Sequence, residues 1–154
     1  MRLAHMHNPK SREHAHTCRK ARAILKLRYK KKKNEFTGKV SLEKLPKGIE
    51  VLSLLDNQLT GTICLTSLPP ALKTLNLGRN YLEGSLDFTR LPKSMRYIQL
   101  SKNRCSGTID LGNLPESMRV LNVGKNGISG TIRVPHGIHI RLNGNDEVTV
   151  ERIE

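Results

Sequence analysis

The chain has 154 residues, 36% hydrophobic and only 3% aromatic, with two Phe, three Tyr and no Trp, so a core must be built from aliphatic side chains. That length suits one ordinary domain, and no window approaches the roughly 18 uninterrupted apolar residues of a membrane span. Three Cys are too few and odd in number for a disulfide scaffold, no Asn-x-Ser/Thr sequon occurs, and the opening residues lack the continuous apolar stretch of a secretory signal. Together these predict an intracellular protein in a reducing compartment, with cytoplasm, nucleus and organelle all open.

The formal net charge of +14 is unevenly placed. Residues 1–34 carry 12 basic residues and one acid, Glu13, a net of +11, whereas residues 35–154 carry 15 and 12, a net of +3. The chain therefore divides into a basic N-terminal arm, 1–34, and a nearly balanced body, 35–154. In the arm, Arg19, Lys20, Arg22, Lys26, Arg28, Lys30, Lys31, Lys32 and Lys33 lie in a stretch of good helix formers without Gly or Pro. Its apolar stripe is weak, so the arm is expected to be helical or disordered and to order on an anionic partner, whether RNA, an acidic protein surface or anionic lipid. Phosphate binding, nuclear import, organellar targeting and a merely solvated charge run all remain open; the four consecutive lysines and sparse Ser/Thr suit targeting least. His5, His7, His14, His16 and Cys18 lack the spacing of a tetrahedral metal site, and no metal or cofactor is expected.

The body repeats with a period of 23 residues. Leu-Pro recurs at Leu45-Pro46, Leu68-Pro69, Leu91-Pro92 and Leu114-Pro115; Asn at 57, 80, 103 and 126; Gly at 61, 84, 107 and 130. The apolar pair Leu52/Leu54 returns as Leu75/Leu77, Ile98/Leu100 and Leu121/Val123. Phe36–Leu42 matches the second half of a repeat, and Ile140–Asn145 the first half of a shortened one. Glu147–Ile153 alternates and predicts a last strand acting as a C-terminal cap. Each coil is expected to hold a half-buried strand around Leu52-Ser53-Leu54 and a buried Asn that pairs backbone groups between coils. A glycine bend and a Leu-Pro closure complete the coil.

The segment Leu72-Lys73-Thr74-Leu75-Asn76-Leu77-Gly78-Arg79-Asn80-Tyr81-Leu82-Glu83-Gly84-Ser85-Leu86 resembles the leucine-rich repeats. Its Gly-x-Ile half is similar to the plant-type subclass, and its Leu-Pro-x-Ser-Met phrasing to repeats of protists such as kinetoplastids. The resemblance spans roughly residues 36–145. It implies a mostly β, right-handed leucine-rich-repeat solenoid with a parallel concave sheet, in about four full repeats plus a half-repeat and a cap.

On that concave face the middle column reads Ser53, Asn76, Gln99, Asn122 and Arg141, and the preceding one Val51, Thr74, Tyr97, Val120 and His139. Tyr97 is the expected anchor for a partner, with Asn76, Gln99 and Asn122 beside it. Two flanking columns are basic: Lys73, Arg96 and Arg119, and Arg79, Lys102 and Lys125, each beginning with an acid, Glu50 or Asp56. They are either rails for an anionic ligand or ordinary solvated surface. Cys105 falls in a core column and Cys64 in a column expected to be exposed. Asp87 and Asp110 share a column without a cleft, and no P-loop, G-x-S-x-G or H-E-x-x-H occurs, so no enzyme or small-molecule substrate is expected. The expected function is a non-catalytic protein-interaction or scaffold module whose concave face grips another protein. The alternative is an RNA-binding component of a ribonucleoprotein assembly such as a ribosome.

Overall fold

The computed structural model describes residues 35–152. The basic arm lies outside them. Two parallel sheets line the coils, joined by turns and one 3₁₀ segment at Leu42–Lys44. The first sheet contains β2 (Val51–Ser53), β4 (Thr74–Asn76), β6 (Tyr97–Gln99), β8 (Val120–Asn122) and β10 (His139–Arg141), in that spatial order. The second contains β1 (Thr37–Lys39), β3 (Gln58–Gly61), β5 (Tyr81–Gly84), β7 (Arg104–Gly107), β9 (Gly127–Val134) and β11 (Glu147–Arg152).

Alternation sets the faces. In β2, β4 and β8 a buried Leu sits between two half-buried neighbours. Leu52 pairs with Leu75, Leu75 with Ile98, Ile98 with Leu121 and Leu121 with Ile140, so the apolar pattern becomes one continuous core stack. The second sheet keeps a different register: Gly61 faces Leu82, Gly84 faces Cys105 and Gly107 faces Ile128. Its strands are thus shifted by two residues relative to the repeat. Most of the core is aliphatic, as composition requires, but Phe88 is also fully buried and supplies one aromatic side chain between the sheets.

Three devices close each coil. Gly38, Gly61, Gly84, Gly107 and Gly130 have φ between 81° and 90°, and a Cβ on Gly84 or Gly130 would stand 2.8 Å from a threonine methyl of the preceding coil. The bend therefore needs glycine on two counts, conformation and space. After each Leu-Pro, the proline carbonyl accepts the N–H three residues on, at 3.1 Å for Leu72 and 2.9 Å for Met95, which turns the chain back toward the first sheet. The third device is the asparagine ladder. Asn80 Oδ1 accepts the Leu59 N–H at 3.0 Å, and its Nδ2 donates to Leu54 O in the preceding coil and Leu77 O in its own, both at 3.0 Å. Asn57, Asn103, Asn126 and Asn145 make the corresponding bonds.

β11 forms as expected, pairing in parallel with β9, but it extends the second sheet more than it seals the core. Val150 is 50% exposed, and Ile140, Leu142 and Val148 are only half-buried, whereas Leu121 and Val123 one coil earlier are fully buried. The shortened last repeat carries too few apolar residues to cover the coil before it. Among the described residues no helix is long and apolar enough to cross a membrane.

Candidate binding surface

The first sheet presents the two columns expected from the repeat. Tyr97 stands in the central strand β6 and is 47% exposed, while Val51, Thr74 and Val120 beside it are half-buried and His139 is exposed. In the neighbouring column Asn76 and Asn122 serve the fold as well as the surface. Asn76 Oδ1 accepts the Gly78 N–H at 3.3 Å and Asn122 Oδ1 accepts the Gly124 N–H at 3.0 Å. Their side-chain carbonyls hold the turn. Gln99 is one methylene longer and instead leans over Gly78, where its Cγ lies 3.2 Å from the position a Cβ would take. Its buried Oε1 accepts no hydrogen bond from the described residues, an arrangement that costs about 1–3 kcal/mol until a donor reaches it. At the end of the sheet, Arg141 Nε donates to His139 Nε2 at 3.0 Å.

The two basic columns form opposite rims of this sheet, and the structure separates them. On the first rim, Lys73 Nζ lies 3.0 Å from Glu50. Arg119 Nη1 donates to the carbonyls of Glu116 and Met118 at 2.9 and 3.1 Å. Among the described residues only Arg96 is left uncommitted there. On the second rim, Arg79, Lys102 and Lys125 are all exposed and make no ion pair or side-chain hydrogen bond among the described residues. Their φ angles are 54°, 57° and 55°; Asp56 begins the column at 60° and Gly144 ends it at 77°. A left-handed residue with a Cβ costs roughly 1–2 kcal/mol. The turn is enforced by backbone bonds to the following coil, Arg79 N–H to Ser101 O at 2.9 Å and Lys102 N–H to Gly124 O at 3.0 Å.

Sequence reasoning found both columns and missed this strain. Lys and Arg give no local signal for φ > 0; the hints in the same column are Gly144 and Asp56, a residue type that tolerates the left-handed region. It also missed Arg104 in β7, whose guanidinium lies 4.9 Å from the centroid of the exposed Tyr81 ring in β5. The arm residues from Arg19 to Lys33 lie outside the described residues.

Other polar groups are spent on turns. Asp87 accepts the Thr89 N–H at 2.9 Å and the Thr89 hydroxyl at 2.6 Å, and Asp110 accepts the Gly112 N–H at 2.9 Å. Both carboxylates cap turns. The Thr89 hydroxyl and then its N–H lower the Asp87 pKa. Cys64, in the same column, is half-buried rather than exposed because Thr66 and Ser67 fold over its sulfur, 3.2 and 3.9 Å from their hydroxyls. The Thr66 hydroxyl lowers its pKa most, followed by the Thr66 N–H. Burial pushes the Cys105 thiol up to about 11. In folded protein near neutral pH, iodoacetamide should therefore modify Cys64 and leave Cys105 untouched until denaturant is added, because the thiolate is the nucleophile. Peptide mass mapping checks this, and modification of native Cys105 would contradict its core position. Two surface depressions, of about 270 Å³ beside Cys64 and about 250 Å³ between Leu111 and Ile138, fall below the usual size of small-molecule sites, about 300–1,000 Å³.

Five parallel strands on one face, an asparagine ladder and a glycine-bent second sheet define the chain as a leucine-rich-repeat solenoid. The fold is similar to the leucine-rich-repeat ectodomain of the receptor kinase SOBIR1 from Arabidopsis thaliana, with TM-score 0.65 and 27% identity over 75% of this chain and 67% of that one. It is also similar to a Pollen Receptor Kinase 3, with TM-score 0.60 and 21% identity over 75% of this chain and 60% of that one, a likeness of fold alone. No protein-family model and no curated protein matches the chain.

Proposed function

We propose that the chain is a non-catalytic, intracellular protein-interaction module that grips a partner on its first sheet, with the basic arm adding attraction for an anionic surface. The observation that carries this reading is Tyr97, a half-exposed aromatic at the centre of a polar floor that is preorganised by the coil turns. Buried aromatic anchors of this kind dominate interface energetics, and truncating one costs about 2 kcal/mol or more, roughly 30-fold in Kd. Cys64 and Cys105 are free thiols, which suits a reducing compartment.

The test is co-purification of the full chain from its native source, scored for protein and for RNA. Tyr97→Ala is expected to remove the protein partner, whereas alanine at Lys30, Lys31, Lys32 and Lys33 mainly slows its association. A net charge of +11 over residues 1–34 supports the second reading, an RNA-binding component of a ribonucleoprotein assembly. In that case RNA co-purifies, its affinity falls steeply with salt, and the four-lysine variant flattens the log–log salt dependence by roughly three units. Recovery of RNA alone, unaffected by Tyr97→Ala, would replace the first reading by the second.

A further inference from the structure

We propose that the trough between the two rims seats an acidic helix, its row of Asp and Glu side chains lying along Arg79, Lys102 and Lys125. This rests on the reading of the first sheet as a protein-binding face and names the chemistry of the partner. The starting observation is an unbroken row of three unpaired cations on the second rim, whereas on the first rim only Arg96 is left uncommitted among the described residues. Lys73 and Arg119 opposite are held by Glu50 and by backbone carbonyls, while Arg79, Lys102 and Lys125 have no ion-pair partner among the described residues. A second observation is the left-handed backbone at all three, a conformation that Gly144 adopts freely in the same column. Asp56 shares this backbone, so the recurring turn sets one exposed side chain of each coil in the same row, and three of these four are cations.

Spacing selects a helix. Neighbouring parallel strands lie about 4.8 Å apart, and a helix advances about 5.4 Å per turn. Carboxylates at i, i+4 and i+7 therefore follow three coils with a drift of about 1 Å. An extended segment repeats same-face side chains every 6.6 Å or so and drifts by roughly 4 Å over the same coils. The rims also leave room: Lys73 and Arg79 are at most about 20 Å apart along an extended path, and a helix with its side chains is about 10–12 Å across. On the floor, the half-exposed Tyr97 ring offers an apolar contact.

The sign of the second column reverses in the first coil, where Asp56 stands in line with Arg79, Lys102 and Lys125, whereas Glu50 on the other rim is already paired with Lys73. A uniformly negative strand such as RNA would run into the Asp56 carboxylate. The floor also presents a single aromatic among the described residues, Tyr97, instead of a row on which bases stack. A helix acidic along most of its length and basic or neutral at the end over Asp56 fits the second rim, and the reversal fixes its direction.

Two labelled helix-forming peptides of identical composition test this, one with Glu at i, i+4, i+7 and i+11 and one with the same Glu residues spread around the helix. Both carry equal charge, so the basic arm attracts them alike. By fluorescence anisotropy at physiological salt, the full-length protein is expected to bind the striped peptide about tenfold tighter than its isomer. That preference should persist when Lys30, Lys31, Lys32 and Lys33 are changed to Ala and vanish in Arg79→Gly/Lys102→Gly/Lys125→Gly, which keeps the turn. The corresponding triple Asn variant, also tolerant of left-handed backbone, gives the same readout if the glycines impair folding. Equal affinity of wild type for the two peptides overturns the proposal, as does a preference that survives loss of the three cations. An oligouridylate probe that loses affinity for the triple variant while neither peptide does would overturn it in favour of RNA. If Tyr97→Ala abolishes capture of the native protein partner while no stripe preference exists, the interaction-module reading stands and the acidic-helix proposal alone falls.

Discussion

Asn80→Ala is expected to destabilise the solenoid by roughly 2–4 kcal/mol, although the side chain removed is polar. Asn80 is buried, and its Oδ1 accepts the Leu59 N–H, which has no strand partner at that point. Leu54 O and Leu77 O each lose one of two asparagine donors, since Asn57 and Asn103 also reach them. The orphaned N–H dominates, because a buried donor without a partner bears its full desolvation penalty. Asn80→Asp gives a sharper test. The new carboxylate would sit beside backbone carbonyls, so its folded pKa is raised; stability should then be greatest at acid pH and fall as pH rises through that value. Urea unfolding at two pH values checks this, and an Asn80→Asp variant more stable at pH 7 than near pH 4 would contradict the ladder.

Leu77→Ala should have the largest effect, about 2–5 kcal/mol. Leu77 is fully buried in the second of the stacked coils, and coils are stabilised by their neighbours, so the loss is felt beyond its own coil. The same truncation at Leu142, half-buried against the end of the core, should cost clearly less, because the cavity there opens to solvent. Denaturant midpoints at constant slope measure both. A Leu77→Ala change below about 0.5 kcal/mol would place that side chain outside the core.

The solenoid could be read from sequence because its rules are local and repeated. Leu75 and Leu77, with Asn80 and Gly84, stand at fixed offsets, and each coil sees nearly the same surroundings as the next, so the period carries the fold. The two-residue shift of the second sheet could not be read, since it depends on how far each glycine bend advances the chain before pairing. Nor could the partial cover supplied by β11, because alternation in Glu147–Arg152 specifies a strand but not what it shields.

The binding surface divides along the same line. That Tyr97 points outward, and that Lys and Arg line both sides of the sheet, follows from alternation with period two and from the repeat itself. Which cations are already committed does not follow, because it turns on contacts between coils. Glu50 reaches Lys73 across one strand spacing, and the Arg119 guanidinium folds onto the turn at Glu116. The left-handed turn beneath Arg79, Lys102 and Lys125 is likewise imposed by hydrogen bonds to the next coil and not by any preference of those residues. Sequence determined the repeat, its core and the outward columns, since periodicity alone decides which side chains face inward. Tertiary structure decided which of the outward charges remain free to bind, since neutralisation and backbone strain exist only once neighbouring coils are in contact.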